Sequence, residues 1–117
     1  MPINRGRAAL LDIAKAARKV VQFKQGLNRE SFLADEKTQS AIVFQLLILI
    51  TGEAVKRLSQ EFRSTHSDIP WTLIAGMRDT LIHEYDDIDL GEVWKTADRD
   101  IPELLVLLEP ILIKMTG

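Results

Sequence analysis

The chain has 117 residues, of which 46% are hydrophobic and none is cysteine, the size of one domain with enough apolar surface for a core. The missing cysteines exclude disulfides, thiol nucleophiles and thiolate metal sites, and they fit a reducing compartment. A net charge of −2 argues against capturing nucleic acid by bulk charge alone.

That charge is unevenly placed. Residues 1–30 hold Arg5, Arg7, Lys15, Arg18, Lys19, Lys24 and Arg29 against Asp12 and Glu30, a balance of +5, so the remainder totals −7. A basic face on the first helix can meet RNA or an acidic partner, or simply solvent. The N-terminal stretch MPINRGRAALLDIAK lacks the apolar core and cleavage site of a secretory signal. The longest apolar run, 41–50, is broken by Gln45 and is about half of the roughly 20 residues that cross a bilayer. We expect a cytoplasmic protein with no membrane span.

In chain order, Leu10, Ile13, Ala14, Ala17, Val20 and Val21 recur at spacings of three and four, one face of a helix that Gly26 ends. A short turn follows, capped by Asn28 and carrying Phe32 and Leu33. Asp35 stands as the next N-cap, with Glu36 in an acidic first turn that suits the helix dipole. One long helix is predicted over 36–62. Its middle, AIVFQLLILI, is apolar almost all round and must be covered by its own bundle or by a second chain.

A polar connection over 64–69 precedes Pro70, which suits the first position of a helix because its missing N–H costs nothing there. That helix runs to about His83, with Trp71, Ile74, Met77 and Leu81 inward. The run DDIDLG breaks the pattern, and Asp89 is the N-cap of a last helix. There Val93, Trp94, Ala97, Ile101, Leu104, Leu105, Leu108, Ile111 and Leu112 form the apolar face. Pro102 and Pro110 each remove a backbone donor and should kink or divide it. With no strand alternation, repeat or linker, the expectation is a single all-α domain over 1–117, a four- to five-helix bundle.

Chemistry concentrates in WTLIAGMRDTLIHEY, residues 71–85. Arg78 and Tyr85 are seven residues apart and share a helix face at 3.6 residues per turn. His83 joins them only if the helix loosens at its C-terminal end, before the acidic run. Elsewhere the bland readings win. His66 in RSTHSD reads as a surface residue, and Asp86, Asp87 and Asp89 as a solvated loop with a helix cap. Trp71 and Trp94 read as core. No Gly-rich phosphate loop is present, so the chain should not itself transfer nucleotides.

Arg78, His83 and Tyr85 fill the three positions of R-x4-H-x-Y, the signature of the HEPN superfamily, which this chain resembles. Asp79 stands where that family commonly has a polar residue, often Asn. The segment SFLADEKTQSAIVFQLLILITGEA, the IPW before the signature and the VW…DIPELL after it resemble the HepT-like branch. The likeness runs from about Leu10 to Leu112. Thr51 is a small departure, because relatives more often have an apolar residue before Gly52-Glu53-Ala54.

The resemblance implies a homodimer with the two signature segments facing each other. It also implies the toxin of a type VII-like toxin–antitoxin pair, cutting RNA without a metal or other cofactor. Arg78 and His83 would be catalytic, with Asp79 supporting them. Tyr85 would be adenylylated by a partner minimal nucleotidyltransferase, the antitoxin. The chemistry is coherent. Attack of a ribose 2′-OH needs a base near neutrality, and histidine's unperturbed pKa of about 6.5 supplies one. A permanently charged arginine stabilises the phosphate as negative charge gathers on it. The alternative reading is a non-catalytic subunit, with the segment from Arg78 to Tyr85 forming a nucleotide pocket with the nucleotidyltransferase.

Overall fold

The structure is a computed structural model that describes residues 2–51, 64 and 89–116, with side chains over 8–47, 64 and 89–114. Every element among the described residues is helical. The predicted helix over 70–83, its inward residues Trp71, Ile74, Met77 and Leu81, and the extension of the preceding helix to Phe62 lie outside the described residues.

Helix α1 spans Pro2–Lys24. Leu10, Ile13, Ala14, Ala17 and Val20 are fully buried, with Ala9 and Ala16 beside them. Four of these seven are alanines, whose small side chains let neighbouring helices approach closely. Val21 departs from expectation and is 39% exposed. A residue adjacent in sequence is rotated by about 100° on a helix, so Val20 and Val21 cannot both face one core. Past Lys24 the chain turns at Gly26, whose φ of +82° lies in the left-handed region, where a side chain would be strained.

Helix α2, Arg29–Leu33, is a single turn fixed at both ends. Asn28 Oδ1 accepts from the Ser31 N–H at 2.8 Å, and the Asn28 N–H donates to Ser31 Oγ at 2.9 Å. This reciprocal box satisfies donors that the helix start leaves free. At the other end the Gln39 side-chain amide donates to the carbonyls of Phe32 and Leu33 at 2.9 and 3.0 Å. Helix α3, Glu36–Thr51, begins as expected at Asp35, which accepts from the Thr38 N–H at 3.1 Å and its hydroxyl at 2.6 Å. Those bonds hold the Asp35 carboxyl below its ordinary pKa.

Helix α4, Leu90–Lys95, runs through a π-turn, Thr96–Asp100, into helix α5, Ile101–Thr116. The Ile101 N–H donates to the Thr96 carbonyl five residues back. Sequence explains the wide turn. A proline ring clashes with the carbonyl four residues before it, and at Pro102 the turn spreads where that clash would fall. Pro110, by contrast, lies inside α5 without dividing it.

Helix α1 packs along α3 on one side and α5 on the other. The α1–α5 pair is antiparallel, because Arg18 bonds Glu109 at 2.7 Å while Lys24, farther along α1, meets Asp98, earlier in the chain, at 3.1 Å. Between the helices lies one apolar cluster of Leu10, Ile13, Ile42, Leu46, Leu104 and Leu108, each fully buried, with Phe32 closing the end near Trp94. Leu105 is only partly buried, whereas Val106 and Ile113 are 71% and 67% exposed. Helix α3 is not covered all round, since Phe44 is 61% exposed. Among the described residues no helix is long and apolar enough to cross a membrane.

Candidate functional site

Arg78, Asp79, His83 and Tyr85 lie outside the described residues, as do Glu53, His66, Asp86 and Asp87. The structure describes the flank that follows them, beginning at Asp89, four residues beyond Tyr85 in the chain. Asp89 is the helix cap the sequence indicates. Its Oδ1 accepts from the N–H groups of Gly91 at 2.9 Å and Glu92 at 3.3 Å. The carboxylate thereby fixes where the acidic run ends and α4 starts.

Trp94 is 8% exposed, a core residue as its apolar setting suggests. Its ring lies 5.3 Å from that of Phe32, tilted by 37°. Lys24 Nζ sits 5.2 Å from the Trp94 ring centroid and bonds Asp98 at the same time. One ammonium thus ties α1 to the helix that begins at Asp89, through a cation–π contact and an ion pair. Lys24 and Arg18 bond carboxylates of the same chain, so two of the seven cations expected on a basic N-terminal face have carboxylate partners.

Beside Trp94 opens a cleft of about 480 Å³. Arg29 borders it from α2, Lys95 and Arg99 from α4 and the π-turn, and Glu92, Asp89 and Asp98 lie among them. Gly91 matters here. A Cβ at this position would meet Arg29 Nη2 at 3.0 Å and Asp89 Oδ1 at 3.1 Å, so a hydrogen at this position gives the guanidinium room to lie over the first turn of α4. In the π-turn, Thr96 is buried and its hydroxyl donates to the Glu92 carbonyl at 3.0 Å. Asp100 is held above its ordinary pKa, first by burial and then by the nearby charge of Glu103.

Sequence reasoning missed this cleft. Arg29 is visible in the sequence only as one of seven N-terminal cations, while Lys95 and Arg99 sit on an unremarkable helix face. No local pattern links α2 to the π-turn. The only hint is the apolar pair Phe32 and Trp94, whose contact brings the two segments together.

Comparison with known proteins matches the family "Ribonuclease HepT-like" over residues 13–111. A protein of Thermococcus cleftensis named "Probable ribonuclease HepT" is 43% identical over 95 residues, covering 81% of this chain and 84% of the relative. A provisionally named RNase of Caldanaerobacter subterraneus subsp. tengcongensis is also 43% identical over 95 residues, covering 81% and 83%. A provisionally named RNase of Methanocaldococcus jannaschii is 34% identical over 117 residues, covering 100% of this chain and 95% of the relative. No solved structure gave a significant match. The chain belongs to the HepT-like ribonuclease family, within the HEPN superfamily, and its all-α architecture agrees with that membership.

Proposed function

We propose that this chain is a metal-independent endoribonuclease acting as the toxin of a two-gene toxin–antitoxin pair. The observation that carries this reading is an R-x4-H-x-Y motif, Arg78, His83 and Tyr85, inside the span matched by a ribonuclease family. His83 takes the proton from the ribose 2′-OH as that oxygen attacks the adjacent phosphate, and the bond from phosphorus to the 5′ oxygen breaks, with that oxygen leaving as the protonated alcohol. Arg78 holds the phosphate oxygens as charge accumulates on them. Asp79, next in the chain, supports Arg78.

The protein acts as a cytoplasmic homodimer and one domain over 1–117, the two motifs meeting across the interface. Tyr85 is the switch. Adenylylation by a partner nucleotidyltransferase adds bulk and negative charge where RNA phosphates must approach, and both exclude the substrate. The relatives named as ribonucleases support the activity; the toxin role, the partner and the modification rest on the motif and the family.

The test is cleavage of RNA by the purified chain in EDTA, made without its partner, with His83→Ala beside it. Native cleavage falling by about 10²–10⁴-fold in the variant is expected when a general base is removed. Absence of cleavage by folded, unmodified protein would sink the reading and leave a nucleotide-binding subunit of the nucleotidyltransferase as the alternative.

A further inference from the structure

We infer that the cleft between α2 and the π-turn is a second RNA contact, where Arg29, Lys95 and Arg99 hold phosphates of the strand leaving the catalytic motif. The inference deepens the ribonuclease reading and rests on it for the identity of the ligand.

Of the carboxylates at the cleft, Asp98 is answered by Lys24 at 3.1 Å, and Asp89 accepts the two N–H groups that open α4. Asp89 keeps its charge as a cap, so Asp89 and Glu92 stand against three cations. Arg29, Lys95 and Arg99 are all exposed, and none forms an ion pair with a carboxylate among the described residues. Arg18 and Lys24 are paired with carboxylates of the chain; among the described residues these three are not. They line a concave surface rather than a convex helix face, and a concave surface lets several contacts act on one ligand.

Placement follows. Lys95 and Arg99 are four residues apart, about one turn, where α4 runs into the π-turn, and Arg29 joins them from another element over Gly91. Three cations drawn from two elements along one open cleft can each take a separate phosphate of a chain. The cleft also begins at Asp89, and four linked residues reach at most about 14 Å. Chain connectivity alone therefore limits the distance from the end of the motif to the start of the cleft. Trp94 contributes no stacking platform, because its ring is buried under Lys24. The contact is with backbone phosphates, and it should carry little sequence preference.

The experiment measures binding of a fluorescein-labelled single-stranded RNA by anisotropy across a salt series, using the full chain with His83→Ala so that the RNA survives. Arg29→Gln/Lys95→Gln/Arg99→Gln should weaken binding by about tenfold or more and flatten the log–log salt slope by about 2, roughly 0.7 for each phosphate that is no longer neutralised. Glu92→Gln should strengthen binding, which damage to the fold would not do. Lys15→Gln/Lys19→Gln, on α1 and outside the cleft, is the comparison for generic charge. If that pair weakens binding as much as the cleft triple, or if the cleft triple matches its parent, the inference is overturned. The same holds if the triple loses affinity for AMP while keeping RNA. The two readings fail separately. A native chain that cuts RNA while the cleft triple binds RNA as tightly as its parent keeps the ribonuclease and loses the cleft. A native chain that cuts nothing yet binds RNA through the cleft does the reverse.

Discussion

Two carboxylates respond to the fold in opposite ways, and each leaves a mark on stability. Asp35 accepts two hydrogen bonds from Thr38, which favour its charged form and lower its pKa. Its contribution is present above the unfolded pKa and is lost as pH falls through the folded one. Asp100 is the last residue of the π-turn, where burial disfavours the charge and raises its pKa. Between its unfolded and folded pKa values the folded state binds more protons, so stability declines as pH rises through that window. Asp100→Asn should flatten this decline just above the ordinary carboxylate range while leaving the Asp35 limb below it. Urea midpoints measured across the acid range read both effects. A variant whose profile keeps the native decline would show that Asp100 does not cause it.

Among the elements, α5 gives the sharpest test of register. Leu108 is fully buried and Val106, two residues earlier, is 71% exposed. Leu108→Ala should lower unfolding free energy by about 2–5 kcal/mol, and Val106→Ala should stay within about 0.5 kcal/mol of native. Urea unfolding distinguishes them, and equal losses would mean the face is assigned wrongly. This face is legible in the sequence because a 3.6-residue period marks it at many positions. The caps at Asn28, Asp35 and Asp89 are legible too, because side chains of that type satisfy free N–H groups at fixed offsets. Val21 misleads because apolar character alone does not say which of two adjacent residues faces inward. The π-turn is half legible. Pro102 signals a break, but a widened turn and a kink look alike in one dimension. The proposed catalytic motif is readable as a pattern, yet Arg78, His83 and Tyr85 lie outside the described residues. The cleft is unreadable, because it joins residues distant in sequence.

For the molecule as a whole, the proposed two-fold pairing makes a kinetic demand. A second His83 from the partner would protonate the leaving 5′ oxygen, so each scissile bond would need both chains. A heterodimer with one native chain and one carrying His83→Ala should then fall well below half of native activity. Tagged co-expression and two-step purification yield that species, and full activity from it would refute the shared site. Exposed Phe44 on α3 accords with a chain that does not cover all of its own apolar surface.

The π-turn has a further consequence, for how relatives can differ in length. A turn closed over five residues holds one residue more than the α-helix around it. Deleting one residue between Trp94 and Ile101 would convert it to ordinary helix and leave the segments on either side facing nearly as before, because the wide turn takes up its extra residue within a single turn. Helix α5 would keep its seat on α1 and Trp94 its place beside Phe32, whereas the same deletion from an unbroken α-helix would turn one segment against the other by about 100°. A difference of one residue in length at this point is thereby absorbed by the turn, leaving both the core and the surface that follows the proposed catalytic motif aimed as they are.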